Sequence, residues 1–230
     1  MKIRILSFLF MFFANFIFAE NLEEFENEYK EFKVNDPLYS YNKAMTSFNV
    51  ALYDYGFNPV LKAYNSVTPS LLRVGVRNFF DNLLSPLRFF GNLLQFKFKN
   101  ANDEFKRFLA NSILGFGGVF DPASKMGFQK HYADLGTALA HWGVGSGFHL
   151  VLPVFGPSNL RDTLSLPAAW YSNPISYIEP TWASVSISAY GFANELSFRL
   201  DELDELYHSN VDLYLFLRDA YEQRRIELSK

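Results

Sequence analysis

The chain has 230 residues, no cysteine and a formal net charge of −3. The lack of cysteine excludes disulfides, thiolate metal sites, a thiol nucleophile and a lipid-modified cysteine in this chain. With 49% hydrophobic residues, 26 of them phenylalanine, the chain has ample apolar surface, and a sequence pI near 5.8 argues against a nucleic-acid partner.

Residues 1–19 have the pattern of a signal peptide. Lys2 and Arg4 precede a mostly apolar run over residues 5–18, and Ala19 supplies a small residue at the cleavage site. This run is shorter than the ~20 residues that a helix needs to span a bilayer. We therefore expect a cleaved signal, the alternative being an uncleaved anchor helix. An acidic lead-in over residues 20–34 and a single helical domain over residues 35–230 should follow.

The first helix of this domain is predicted to begin at Asp36 and Pro37. An N-cap carboxylate followed by proline at the first helical position is a typical helix start. Apolar residues then recur at helical spacing from Tyr41 to Leu52, and we expect Pro59 to end the helix.

Residues 70–98 predict a helical surface that is apolar except for one narrow polar stripe, which Pro86 should break or kink into two helices. The stripe residues recur every three or four positions and are Arg73, Arg77, Asp81, Ser85, Arg88, Asn92 and Gln95. Residues 62–99 carry six basic residues and one acid, so this apolar segment is also basic. Two interpretations fit the pattern. One is a core helix of a soluble bundle, and the other is a helix lying in a membrane interface, with basic side chains at head-group phosphates.

A glycine-rich zone follows, in which eight of the 13 glycines lie between residues 115 and 147. Glycine at this density serves turns and tight packing, or it permits a hinge. The hinge or gating candidates are Gly115, Gly117, Gly118, Gly143, Gly145 and Gly147. No dinucleotide fingerprint or phosphate-binding loop is present in this zone.

The C-terminal part begins with a proline-punctuated stretch. Prolines from Pro153 to Pro180 should allow only short helices, one of which we expect to start at an ion-paired Arg161 and Asp162. Residues 181–230 contain no proline and predict two helices, with a break near residues 208–210.

The sequence contains no recognisable catalytic motif. Its four histidines do not have the spacing of a metal site, and no nucleophile-elbow motif is present. A catalytic triad assembled from distant positions has no sequence signature. We expect no catalytic residue and no metal site, and therefore a protein that is not an enzyme.

Several ordered motifs together resemble the MlaA/VacJ family, over about residues 35–225. They are Asp36-Pro37-Leu38-Tyr39 with Asn42 and Asn49, Asn78-Phe79-Phe80, Arg107-Phe108 with Asn111, Gly117-Gly118 with Asp121, Trp142-Gly143, Gly156-Pro157-Ser158 with Arg161-Asp162, and Arg218-Asp219. The motif residues expected to be structural are Asp36, Pro37, Asn42, Asn49, Asn111, Asp121, Trp142, Arg161 and Asp162.

The resemblance implies an all-α fold, a ring of amphipathic helices embedded in one leaflet of the bacterial outer membrane, with a central amphipathic channel. It implies removal of mislocalised phospholipids from the outer leaflet and their delivery to a soluble periplasmic carrier of the MlaC type. Further implied are association with a trimeric porin, a position on the periplasmic-leaflet side and no cofactor. The candidates for head-group contact are Arg73, Arg77, Arg88, Lys97 and Lys99.

Two other functions stay open, a porin-associated structural protein and an envelope lipid hydrolase. Most members of the resembled family carry a lipidated cysteine after the signal, which this chain lacks. We therefore expect that it is not a lipoprotein and that its apolar helices retain it in the membrane.

Overall fold

The structure, a computed structural model, describes residues 34–209 and 212–230. The predicted signal peptide and all but the last residue of the acidic lead-in lie outside these residues. The helices are α1 (Tyr39–Leu52), α2 (Asn58–Val67), α3 (Ser70–Leu94), α4 (Phe98–Ile113), α5 (Pro122–Lys125), α6 (Leu135–His141), α7 (Leu160–Ser172), α8 (Thr181–Leu196), α9 (Leu200–Tyr207) and α10 (Leu213–Ser229). The predicted all-α fold is confirmed, with the addition of one short hairpin.

The hairpin was not predicted. Strand β1 (His149–Leu152) pairs antiparallel with β2 (Gly156–Asn159), with His149 opposite Asn159 and Leu152 opposite Gly156. A side chain of α1 forms hydrogen bonds to the backbone of this hairpin. The Asn42 side chain donates to the His149 carbonyl over 3.1 Å and accepts from the Val151 N–H over 2.8 Å.

The predicted boundaries of the first helix were wrong at both ends. Asp36 does not cap α1, whose N-cap position is Leu38 without a side-chain hydrogen bond. At the other end the chain continues through a π-helical segment, Tyr53–Phe57, directly into α2. Pro59 lies in the first turn of α2, directly after the π-helical segment, and does not interrupt the helical course.

The first and last helices are tied together by the residues around Asp36. The Asp36 carboxylate accepts hydrogen bonds from the Tyr214 hydroxyl and from Asn42 Nδ2, the latter over 2.9 Å. Arg218 Nη1 lies 3.4 Å from the same carboxylate. Because Tyr214 and Arg218 both belong to α10, the ends of the described chain meet across 178 positions of sequence.

The prediction that Pro86 divides the stripe segment into two helices was also wrong. Helix α3 is continuous over 25 residues with Pro86 inside it. The Asp81 carbonyl, just over one turn before the proline, accepts hydrogen bonds from Arg88 Nη2 over 3.1 Å and from Ser85 Oγ over 3.5 Å. Side chains therefore supplement the helical hydrogen bonds near the proline, and tertiary packing against α4 keeps the helix whole.

Helices α3 and α4 are polar inside and apolar outside. The buried residues of α3 are Asn82, Ser85, Arg88, Gly91 and Asn92, and those of α4 are Ala101, Glu104, Arg107 and Asn111. The large apolar side chains of the same helices are exposed, among them Leu71, Leu72, Phe90, Leu94, Phe98, Phe105 and Ile113. The core-helix interpretation of the stripe is therefore wrong, because it requires the apolar side chains to be buried. The stripe also does not lie on the outer surface, as the interface-helix interpretation required.

The C-terminal part contains one more break than predicted. The break near residues 208–210 is confirmed, since α9 ends at Tyr207 and α10 begins at Leu213. A second break falls between α8 and α9, at residues 197–199. The proline-rich stretch holds a longer helix than expected, because Pro167 lies within the 13 residues of α7. Arg161 and Asp162 start that helix as an ion pair, with Asn159 capping it through the Asp162 N–H.

A compact apolar core is confined to one side of the molecule. It consists of Tyr53, Leu61, Phe192, Leu196 and Leu200, which join the π-helical segment and α2 to α8 and α9. Elsewhere the buried positions are mainly polar. In the part of the chain that the structure describes, no helix is both long and apolar enough to cross a membrane.

Candidate functional site

The inward-facing polar surfaces surround a cavity of about 820 Å³. Helices α3, α6, α7, α8 and α10 and the segment between α5 and α6 supply its wall. This volume lies within the range of cavities that bind small molecules and cofactors. Its charged lining residues are Arg77, Asp81, Arg88, Arg107, Asp121, Lys130, Asp134, Glu195, Arg199, Arg224 and Arg225, so positive charge is in excess.

Apolar side chains line the same cavity. They include Phe80, Leu83, Leu84, Leu87, Phe128, Leu166, Ile175, Phe192 and Leu228. The cavity is therefore amphipathic, with charged groups and hydrocarbon surface exposed to one continuous space. Such a lining suits a molecule that itself has a charged end and an apolar end, because each part finds a matching environment.

One charged cluster of the wall centres on Arg88. Its Nε donates to Glu104 Oε2 over 2.8 Å and its Nη1 to Asp81 Oδ1 over 3.1 Å. Lys130 forms an ion pair with the same Asp81 carboxylate. Burial would raise the pKa of Asp81, but the charges of Arg88 and Lys130 hold it below its usual value. These contacts make Arg88 a structural part of the wall, and its contact with a head group stays a prediction.

A second cluster fixes the turn after α4. Arg107 donates to the Phe128 carbonyl over 2.7 Å, to Ser124 Oγ over 3.0 Å and to Asp121 Oδ2 over 3.0 Å. Asn111 accepts from a backbone N–H of α5 over 3.0 Å. The motif residues Asn111 and Asp121 therefore hold the glycine turn and α5 against α4.

A third cluster joins α6, α7 and α10 around Arg225. Its Nη1 and Nη2 donate to the two oxygens of Asp134 over 2.6 and 2.8 Å, and Nη2 also donates to Asp162 Oδ1 over 2.9 Å. Arg225 Nε lies 2.7 Å from Asp162 Oδ2 but is not aligned for a hydrogen bond. Gly136 packs against this cluster, since an added Cβ would lie 2.3 Å from Asp162 Oδ1.

The five candidates for head-group contact separate into two groups. Arg77 and Arg88 line the cavity, whereas Arg73, Lys97 and Lys99 are absent from its lining. Arg73 donates to Asn65 over 2.7 Å, Lys97 donates to a backbone carbonyl of α10 over 3.0 Å, and Lys99 is exposed on α4.

The glycine candidates also separate. The turn at residues 115–118 is tightly packed, since an added Cβ at Gly118 would lie 2.5 Å from the Asn82 side chain. In the loop at residues 143–147, added Cβ atoms at Gly143 and Gly145 would meet no atom within 4 Å. Gly143 has a φ of +86°, a conformation that favours glycine. Gly115 and Gly118 therefore serve packing, whereas Gly117 has open space around it, and an added Cβ at Gly147 would lie 2.8 Å from Leu160. The hinge at residues 143–147 stays a prediction.

The remaining motif residues support the hairpin and the loop. Asn49 donates to the Leu152 carbonyl over 3.0 Å and accepts from a backbone N–H of the hairpin turn. Trp142 Nε1 donates to the Leu94 carbonyl over 2.9 Å, which ties the loop to the end of α3. Arg161 donates to the Val144 carbonyl over 3.1 Å.

Sequence reasoning missed several residues of the cavity wall and of the contacts that hold it. Glu104, which is buried and pairs with Arg88 of the wall, was missed although it lies with Arg107 and Asn111 on a second polar stripe, the same signal that identified α3. Lys130, Asp134 and Arg225 belong to short or irregular segments or to a mixed helix and carry no comparable periodic signal.

These features define a class of protein, an all-α chain whose inward helix surfaces are polar, whose exterior is apolar and whose centre is an amphipathic cavity. The chain belongs to the MlaA lipoprotein family, whose model matches residues 34–227. The predicted family resemblance is thereby confirmed.

Several bacteria have proteins that are similar to this chain. The intermembrane phospholipid transport system lipoprotein MlaA of Escherichia coli is 32% identical over 83% of this chain and 76% of its own. The protein of the same name from Haemophilus influenzae is 31% identical over 82% of this chain and 77% of its own. A protein of Rickettsia prowazekii, named only as uncharacterised, is 32% identical over 86% of this chain and 80% of its own.

The fold is also similar to a solved structure that concerns the maintenance of bacterial outer-membrane lipid asymmetry. The TM-score is 0.76 at 30% sequence identity, and the match covers 85% of this chain and all of the other.

Proposed function

We propose that this protein is a phospholipid channel of the bacterial outer membrane. It removes mislocalised phospholipids from the outer leaflet and passes them to a soluble periplasmic carrier of the MlaC type, so that the membrane keeps its lipid asymmetry. The observation that carries the proposal is the inverted distribution of polarity, in which charged side chains surround a cavity and apolar side chains face outward.

The cavity offers what a moving phospholipid requires. A charged head group loses several kcal/mol when it is left dry in an apolar medium, and each exposed methylene of a tail costs about 0.8 kcal/mol in water. A wall that carries both arginines and leucines along one space avoids both costs. The route needs no nucleotide, and the proposed role is transport rather than catalysis.

The exterior of the protein suits residence in one leaflet. Leu71, Ile113 and Phe116 are 76%, 73% and 80% exposed, and the apolar surface continues along α3 and α4. We propose that this surface lies among acyl chains on the periplasmic-leaflet side. It would retain the protein in the membrane without a lipidated cysteine. The same surface would contact a trimeric porin, as the family resemblance implies.

The loop at residues 143–147 is the proposed moving element. Gly143 and Gly145 have open space around them, and the loop is fixed at one end by Trp142 and on its side by Arg161. The more tightly packed turn at residues 115–118 is the weaker candidate for movement.

The proposal is tested by deleting the gene and measuring surface-exposed phospholipid in the outer leaflet. We expect more exposed phospholipid on deletion and restoration by the intact gene. Unchanged surface phospholipid, with the protein still co-purifying with porin, would indicate a structural protein instead. Release of fatty acid from phospholipid by the purified protein would indicate a hydrolase.

A further inference from the structure

Arg77 and Glu195 are two charged residues of the cavity wall whose side chains are available for hydrogen bonds to a ligand. Among the described residues, Arg77 has no hydrogen bond or ion pair, and its guanidinium stacks on the Phe198 ring at 4.4 Å from the centroid. The Glu195 carboxylate likewise has no hydrogen bond or ion pair within residues 34–209 and 212–230. Arg77 is exposed and Glu195 half-buried, so both reach the space of the cavity.

The packing of α3 against α8 places these two residues within about one helical turn of the same level. At one level, Gly191 lies against the Phe80 ring, where an added Cβ would come within 2.7 Å of a ring carbon. At another level, Asn194 Nδ2 donates to the Arg73 carbonyl over 3.0 Å. The two helices therefore run antiparallel. Arg77 lies between Phe80 and Arg73 on α3, and Glu195 lies one turn after Gly191 on α8.

Glu195 differs from the other carboxylates of the cavity lining in its partners. The carboxylates of Asp81, Asp121 and Asp134 each have an arginine or lysine within hydrogen-bond distance. Burial raises the pKa of Glu195 above its usual value, and the nearby charges of Arg77, Arg199 and Lys130 only partly oppose this effect. Within the described residues, Glu195 is therefore the lining carboxylate that can accept a hydrogen bond from an entering cation without displacing a bonded partner.

We propose that Arg77 and Glu195 together form a head-group site for phospholipids of the ethanolamine type, which carry a phosphate and a primary ammonium. The inference rests on the proposed function and names the substrate class for it. The planar guanidinium of Arg77 suits the phosphate oxygens, and the Glu195 carboxylate accepts hydrogen bonds from the ammonium.

The same pair disfavours other head groups. A glycerol head group brings the phosphate charge but no cation, so Glu195 stays uncompensated beside a second negative charge. A choline head group has a cation but no N–H donor, so it cannot satisfy the carboxylate by hydrogen bonding. Ethanolamine is the common head group that satisfies both residues.

The test measures binding of three fluorescent phospholipids with identical tails and different head groups. The full-length protein in detergent micelles is titrated with labelled phosphatidylethanolamine, phosphatidylglycerol and phosphatidylcholine. We expect the ethanolamine lipid to bind about tenfold more tightly than the other two, the size of one charge-assisted hydrogen-bonding contact. Glycerophosphoethanolamine, which has no tails, serves as a competitor that separates head-group recognition from tail burial.

Single substitutions test the roles of Glu195 and Arg77 separately. Glu195→Gln should remove the preference for ethanolamine and leave phosphatidylglycerol binding equal or stronger, and Glu195→Asp should restore part of the preference. Arg77→Gln should weaken all three lipids, because each contains the phosphate. Asp201→Asn, on the exposed face of α9, is the matched control for loss of one negative charge and should change nothing.

The outcomes distinguish this inference from the proposed function. Equal binding of the three lipids by the native protein, or equal weakening of all three by Glu195→Gln, would overturn the inference and leave a lipid channel without head-group selection. Failure of every lipid to bind would contradict the proposed function itself. Circular dichroism and a thermal melt of each variant establish that the folded proteins are being compared.

Discussion

Replacing apolar side chains on the exterior should release the protein from membranes. The perturbation is the triple variant Leu71→Asn, Ile113→Asn and Phe116→Asn. The three sites lie at one end of the α3–α4 hairpin, where Asn82 Nδ2 donates to Ser112 Oγ over 3.0 Å and joins the two helices. Asn is suited to position 116 in particular, because Phe116 has a φ of +52° and Asn tolerates that conformation.

The magnitude follows from exposure. Full burial of a large apolar side chain is worth about 1.5–3 kcal/mol, and each of these three is about three-quarters exposed to the surroundings. Transfer of the three into acyl chains therefore contributes roughly 3–7 kcal/mol to membrane binding. Since about 1.4 kcal/mol corresponds to a tenfold change in affinity, the variant should need at least about 100-fold more lipid for half-maximal binding.

The assay is co-flotation of purified protein with phosphatidylethanolamine and phosphatidylglycerol vesicles over a range of lipid concentrations. The control variant, Leu71→Met, Ile113→Leu and Phe116→Leu, changes the same positions but keeps them apolar, and it should float like the native protein. Washing with high salt and with alkaline carbonate tests whether charge alone holds the protein. If the asparagine variant floats as well as the native protein, or if carbonate strips the native protein, the apolar exterior does not anchor it.

Three further outcomes are expected. Arg225→Gln should lower the free energy of unfolding by about 3 kcal/mol, measured by urea denaturation in detergent, because it leaves the half-buried Asp134 without its cation and removes one of the two arginines that pair with the buried Asp162. A loss below about 1 kcal/mol would contradict that view of the cluster. Although burial opposes it, Arg225 holds the pKa of Asp134 below its usual value. The resulting stability is therefore present above the unfolded pKa of about 4 and lost as pH falls through the lower folded pKa, and Asp134→Asn should flatten an acid denaturation curve. Replacing Gly143 and Gly145 with Ala should raise surface phospholipid in cells carrying the variant, and unaltered surface phospholipid would refute the hinge. Neither added Cβ meets an atom within 4 Å, but Gly143 has a φ of +86°, so alanine there should cost about 1–2 kcal/mol of stability. Gly145→Ala alone should leave the melting temperature nearly unchanged.

The sequence predicted individual helices and the polar stripe of α3 because both follow from local periodicity, whereas the all-α fold class was implied by the family resemblance. The spacing of Arg73, Arg77, Asp81 and Arg88 determines which face of a helix is polar, whatever surrounds it. It does not determine whether that face points inward or outward. The core-helix interpretation placed the apolar side chains inside, whereas the structure has them outside. The interface-helix interpretation placed the apolar side chains outward, as they are, but it expected the polar stripe at the surface, and most of that stripe is buried.

The parts that could not be predicted depend on contacts between distant residues. Arg225 meets Asp134 across 91 positions, and Tyr214 meets Asp36 across 178. Pro86 stays inside α3 because α4 packs beside it, which overrides the local tendency of proline to end a helix. For the candidate site, the sequence correctly included Arg77 among its candidates but gave no indication that Glu195, on a helix more than 100 residues away, faces the same cavity.

The contact between α1 and α10 at Asp36 bears on how the cavity can change size. The segment before α1 is fastened to Tyr214 and Arg218 of α10, and α10 supplies part of the cavity wall. The two ends of the described chain therefore cannot slide apart, which restrains the position of α10 at the cavity. In the proposed channel, lipid passage would then depend on segments that move without breaking this contact. Removing the contact, with Asp36→Asn and Tyr214→Phe together, should allow α10 to shift and the size of the cavity to vary.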